Sequence, residues 1–226
     1  MRIRSLPSLR SAALVAALLA LGACGRSDAP ASAADAAQRV YVAPGSKDEF
    51  YAFMSGGFSG QVSVYGLPSG RHFKTIKVFS QDPETGYGYS EQTKPMLATS
   101  YGNVPWDDAH HPELSMTDGV PDGRWLFING NNTPRIARMD LTTMETAEII
   151  EIPNSAGNHA SPFVTQNTEY TVAATRFSVP TPQRDVPIST YRENFAGVLS
   201  FVKVDSATGR MTLAFQIRMP GYDYDL

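Results

Sequence analysis

A chain of 226 residues, 42% hydrophobic and 18% charged, has enough apolar material for a domain with a substantial core, which excludes a wholly disordered chain. Its formal net charge of -3, with Lys and Arg scattered beyond the first residues, provides no field that would gather nucleic acid, so that class of partner is set aside.

Arg2, Arg4 and Arg10 precede an uncharged run from Ser11 to Ala23 that is rich in Ala and Leu and too short for a stable bilayer span. Residues 1–23 therefore read as a secretory signal peptide, with the periplasm as destination. The run ends Leu21-Gly22-Ala23-Cys24, which resembles the lipobox of bacterial lipoproteins, in which the cysteine becomes the lipidated first residue. Lipidation at Cys24 would tether the protein to the membrane; the alternative is an unmodified thiol in a peptide cut later, near Ala34. Cys24 is the only cysteine, so no disulfide is expected although the compartment would permit one. Ile3 separates Arg2 from Arg4, so there is no twin-arginine pair. Export then takes place unfolded, and any metal is loaded outside the cytoplasm, because its ligand set exists only in the folded chain. Residues 24–39, made mostly of Ala, Ser, Asp and Pro, read as a flexible tether, and residues 40–226 as the folded part.

Beyond Val40, short apolar or alternating runs recur between turn signals: Glu49 to Met54, Gly60 to Tyr65, His72 to Phe79, Arg124 to Ile128, Arg135 to Met139, Ala147 to Ile152, Tyr170 to Phe177, Val198 to Val204 and Met211 to Ile217. No long helical pattern interrupts them. Three connections look alike: Leu67-Pro68-Ser69-Gly70, Leu141-Thr142-Thr143-Met144 and Asp205-Ser206-Ala207-Thr208-Gly209. A repeated hairpin in a chain of short strands predicts an all-β fold, a partial β-propeller of about three to four blades, with a β-sandwich as the alternative. The repeats are spaced more widely than the roughly 40–50 residues of a simple blade. Insertions at Gln81 to Asp107 and Ser178 to Asn194 would account for the excess. With no returning strand to hide its edges, the propeller is expected to be truncated before closure.

Two of the four histidines are adjacent, in Trp106-Asp107-Asp108-Ala109-His110-His111-Pro112. Neighbouring side chains of a regular strand point to opposite faces, so both rings reach one centre only where the backbone turns, and Pro112 marks a loop or strand start. Neutral imidazole ligates copper and zinc well, and a carboxylate commonly fixes the ring through its other N–H. Asp108, two residues before His110, suits that part; Asp107 reads as an ordinary loop carboxylate. A solvated loop pair is the alternative for the histidines. His72, in the alternating run Arg71-His72-Phe73-Lys74, reads as an exposed strand residue without a role.

The segment from Asp108 to Gly119, followed by Asp122-Gly123-Arg124-Trp125-Leu126-Phe127-Ile128-Asn129 and Arg135-Ile136-Ala137-Arg138, resembles the amino-terminal propeller of nitrous oxide reductases. That family presents a D-x-H-H stretch, an S-x-T-D/E-G turn, D-G-R-x-L-F-x-N and an R-x-A-R strand, in this order. Ile152-Pro153-Asn154-Ser155-Ala156-Gly157-Asn158-His159 likewise resembles the family's I-P-N-x-x-G-x-H segment, with Ala160 where a glycine usually follows. The resemblance covers most of the chain from Val40 and is nearer the branch exported by the general secretory route.

It implies a seven-bladed propeller whose seven histidines hold a copper-sulfide cluster that reduces N₂O to N₂ and water in denitrification. His110, His111 and His159 are then copper ligands and Asp108 the outer partner of the ring. A dinuclear copper centre and calcium would belong to parts of the family fold not represented here. The resemblance also implies an electron donor such as a c-type cytochrome and a homodimer at full length. The fragment by itself is expected to be inactive. A lipoprotein β-propeller that binds protein or carbohydrate without catalysis is the alternative, since fold alone does not fix function.

Overall fold

The computed structural model describes residues 46–220. The expected signal peptide and tether, Cys24, and residues 221–226 lie outside the described residues. The strands are β1 (Phe50–Ser55), β2 (Gln61–Leu67), β3 (His72–Lys77), β4 (Ala98–Thr99), β5 (Gly102–Asn103), β6 (Ala109–Thr117), β7 (Val120–Gly130), β8 (Arg135–Asp140), β9 (Glu145–Glu151), β10 (Asn158–Val164), β11 (Tyr170–Thr175), β12 (Val179–Pro180), β13 (Phe195–Ala196), β14 (Val198–Val204) and β15 (Met211–Arg218). Among the described residues, one four-residue helix, α1 (Tyr191–Asn194), and two short 3₁₀ turns accompany them. Among the described residues no helix is long and apolar enough to cross a membrane.

Three antiparallel sheets carry the fold, in the orders β1-β2-β3, β6-β7-β8-β9 and β10-β11-β14-β15. Each runs antiparallel from strand to strand, and short hairpins join the strands except between β11 and β14, where residues 176–197 intervene. The three similar turns fall at one structural position, joining β2 to β3, β8 to β9 and β14 to β15, the last two strands of each sheet. Each contains a residue in the left-handed region, Gly70, Met144 or Gly209, with φ of 70°, 56° and 74°. By this correspondence β1, β2 and β3 match the second to fourth strands of the other two sheets.

The sheets stack face to face. One core joins Val62, Val64, Ile76, Val78 and Phe79 of the first sheet and its flank to Ala109, Leu126, Ile128, Ala137 and Met139 of the second. The other joins Trp125, Phe127, Ile136 and Ile152 to Ala173, Val202, Val204 and Met211 of the third. Alternate residues of β7 and β8 thus serve opposite cores, because successive side chains of a strand leave opposite faces. This is why β7 from Trp125 to Gly130 is a continuous buried run rather than an alternating one. Sheets stacked in this way, each meander covering the next, are the blades of an open, partial β-propeller.

The boundaries differ from expectation in an instructive way. The run at Val198 to Val204 is β14 without change, and most others shift by a residue or two. β6 and β10 were not anticipated as strands, yet they carry the candidate histidines. Both are first strands of four-stranded sheets, and both begin at the same end: Ala109 pairs with Gly130 at the end of β7, and Asn158 with Thr175 at the end of β11. The two expected insertions are the long excursions before β6 and between β11 and β14, which hold the ribbons β4-β5 and β12-β13.

Candidate metal centre

His110 and His111 stand at the start of β6, where the pairing with β7 slips between His110 and Glu113. His111 has φ of 53°, a left-handed conformation that a non-glycine residue adopts only under local constraint. The bulge cancels the alternation that would send adjacent side chains to opposite faces, and the two ring centroids lie 5.4 Å apart. His159, second residue of β10, sits at another register slip. Its ring lies 5.7 Å from that of His110 and 5.0 Å from that of His111. Three imidazoles from two blades thus form one cluster, although His159 lies 48 residues after His111 in the chain.

Asp108 supplies the carboxylate behind the cluster. It is almost fully buried, and its Oδ1 lies 3.0 Å from His110 Nδ1. Neither atom has another hydrogen-bonding partner, and the approach is close in distance but off the ideal N–H line. A neutral ring carrying its proton on Nδ1 would present Nε2 on the opposite side, the orientation a metal-binding histidine needs. Asn131 Nδ2 donates to Asp108 Oδ2 at 3.1 Å. Desolvation holds His111 below its ordinary pKa, and the nearby charge of His159 and His110 adds to this, favouring the neutral ring that binds metal.

Asp107 corrects the sequence reading, because it is a buried anchor rather than an ordinary loop carboxylate. It is 0% exposed and accepts hydrogen bonds from Asp108 N at 2.7 Å, Asn132 N at 2.9 Å, Thr133 N at 3.0 Å and the Thr133 hydroxyl. Arg135, also 0% exposed, brings Nη2 to 3.7 Å from its Oδ2 and lies over the Phe79 ring. A Cβ at Gly130 would collide with this carboxylate, so the glycine makes room for it. The pairing was hidden in the sequence: Arg135 belongs to a strand pattern, and nothing local shows that its partner is the first acid of an Asp-Asp pair.

His72 is exposed on β3, with Nε2 3.0 Å from Thr75 Oγ1 and its ring against Tyr65, as its alternating context suggested. Among the described residues, no three His, Cys, Asp or Glu side chains are already arranged to close on a single ion. The histidine rings meet edge-on or tilted, and His111 is exposed while the other two are half-buried. Turning such rings about χ2 is a modest adjustment, since that torsion is broad. The donor set of three imidazoles, one backed by a buried carboxylate and one biased to neutrality, fits copper.

No protein-family model matches the sequence. The chain is similar to the nitrous-oxide reductase of Pseudomonas fluorescens, at 35% identity over 92% of this chain and 32% of that protein. It is similar to the nitrous-oxide reductase of Stutzerimonas stutzeri at 35% identity over 81% of this chain and 28% of that protein. Among solved structures, a Bacteroides fragilis protein assigned as a 6-phosphogluconolactonase aligns with a TM-score of 0.44 and 16% identity, over 75% of this chain and 36% of that one. The hydrazine synthase of Kuenenia stuttgartiensis aligns with a TM-score of 0.39 and 14% identity, over 75% of this chain and 51% of that one. The chain spans about a third of the length of the reductases it matches. On that sequence similarity, it belongs to the nitrous-oxide reductase family over the portion that it spans.

Proposed function

We infer that His110, His111 and His159 are copper ligands of a periplasmic nitrous oxide reductase that reduces N₂O to N₂ and water, with Asp108 fixing the His110 ring. The observation that carries this reading is the meeting of three rings, from strands of two successive blades, at 5.0 to 5.7 Å. When bound, a copper-sulfide cluster supplies the electrons and the back-donating centre that an uncharged, weakly polar substrate requires. This chain's residues contribute three imidazoles from the first strands of two sheets and a buried carboxylate that faces one of them. The dinuclear copper centre, calcium, a c-type cytochrome donor and a homodimer belong to the same reading at the full length of the relatives.

Three imidazoles are a minority of the seven that such a cluster takes, so the chain alone binds copper weakly and does not reduce N₂O. Restored to the length of its relatives, the protein should lose cluster copper and N₂O consumption with a reduced viologen donor in each of His110→Ala, His111→Ala and His159→Ala. His72→Ala should leave both unchanged. Full activity in any of the first three removes that residue from the ligand set. The Leu-Gly-Ala-Cys ending supports lipidation at Cys24. Cys24→Ala should then release the protein from the membrane fraction or block its processing, and an unaltered fractionation rejects the anchor.

A further inference from the structure

We propose that Asp107 is a positioning residue for the His110 ring, acting through the β7–β8 turn; this rests on the reading of His110 as a copper ligand. The donors gathered by Asp107 come from two pieces of chain: Asp108 at the base of β6, and Asn132 and Thr133 in the turn between β7 and β8. The same turn grips Asp108, through Asn131 N to its backbone oxygen at 2.8 Å and Asn131 Nδ2 to its Oδ2 at 3.1 Å. Asp108 Oδ1 is left facing His110 Nδ1. Arg135 fixes the turn from the other side, with Nε 2.7 Å from Thr133 Oγ1 and Nη1 3.1 Å from Val104 O. Asp107 touches none of the rings, yet its carboxylate is the point at which the turn, the buried arginine and the ligand-bearing strand are joined.

Asn at this position keeps the shape but not the charge. One oxygen becomes an NH₂ among N–H donors and beside a buried guanidinium, so the turn must shift and Asp108 shifts with it. Asp122 provides the control, because its carboxylate ties the opposite end of the β6–β7 hairpin through Ser115, Thr117 and Arg124.

The test uses the 226-residue chain with ¹⁵N-labelled histidine, reading the His110 tautomer from its ring nitrogen shifts, together with Cu(II) titration followed by electron paramagnetic resonance. The wild type and Asp122→Asn should hold His110 in one Nδ1–H tautomer. Asp107→Asn should give averaged ring shifts, altered nitrogen couplings and Cu(II) affinity weaker by roughly tenfold or more, the usual scale for losing an outer partner. Its far-UV circular dichroism should remain that of the wild type. Retention of tautomer and affinity in Asp107→Asn overturns the proposal, as does an equal loss in Asp122→Asn. Wild-type protein that binds no Cu(II) through imidazole, while Asp107→Asn still averages the tautomers, sinks the copper reading and upholds the positioning role. Should Asp107→Asn fail to fold, Thr133→Val removes one donor hydroxyl, and a smaller change in the same direction supports the proposal; no change overturns it.

Discussion

At Asp122 two influences on one carboxylate oppose each other. Burial raises its pKa, but hydrogen bonds from Arg124, Ser115 and Thr117 outweigh burial and leave it well below the ordinary carboxylate range. A lowered folded-state pKa means that the unfolded chain binds more protons in acid, so the stabilisation is complete above the unfolded value of 3.8 and is lost as pH falls through the folded one. Asp122→Asn should therefore lower the thermal midpoint at neutral pH, and its deficit should narrow as pH drops below 3.8; a deficit independent of pH would assign the effect to packing. At the candidate centre, the motif and its family resemblance pointed to the histidines, to Asp108 and to the convergence of the three rings, which lie 5.0 to 5.7 Å apart. How they converge was not legible, because it depends on one backbone dihedral at His111 and on two register slips. Asp107 was misread for a related reason: its four donors and its arginine come from residues 108 to 135, and only the folded chain assembles them.

Among elements, legibility followed the clarity of the apolar pattern. β8, β14 and β15 have runs that stand out in the sequence, and they lie where those runs predicted. β6 contains His-His-Pro and β10 contains Asn-His-Ala-Ser-Pro, where polar residues and proline mask the strand; in both, pairing is interrupted beside the proline. Strands interrupted in this way turn side chains toward a centre, and the same interruption hides them from periodicity. The buried middle strand offers the converse test. Phe127 of β7 is 0% exposed inside a core, whereas Phe163 of β10 is 62% exposed. Phe127→Ala should cost about 3–5 kcal/mol of unfolding free energy by urea titration. Phe163→Ala should stay within about 0.5 kcal/mol; equal costs would mean that the outer face of β10 is packed in solution.

For the whole molecule, what matters is that the middle sheet belongs to both cores. β7 and β8 send alternate residues to each, so weakening either core removes support from the sheet on which the other depends. The described residues should therefore unfold in one cooperative transition rather than sheet by sheet. Trp125 lies in the second core at 6% exposure and reports on it by fluorescence, although Trp106, at 45%, contributes a more solvated signal. Far-UV circular dichroism reports all the sheets together. The two probes should give one midpoint in urea, and Val62→Ala in the first core should move both as far as Val204→Ala in the second moves both. His110 and His111 lie on the second sheet and His159 on the third, so a metal held by all three bridges two blades. Binding to the folded state alone adds RT ln(1 + [L]/Kd), about 2.7 kcal/mol at a hundred times Kd. Cu(II) should accordingly raise the common midpoint in the wild type and much less in His159→Ala. Separate midpoints for the two probes would show that the sheets unfold independently, and an equal rise in His159→Ala would show that the metal does not bridge them.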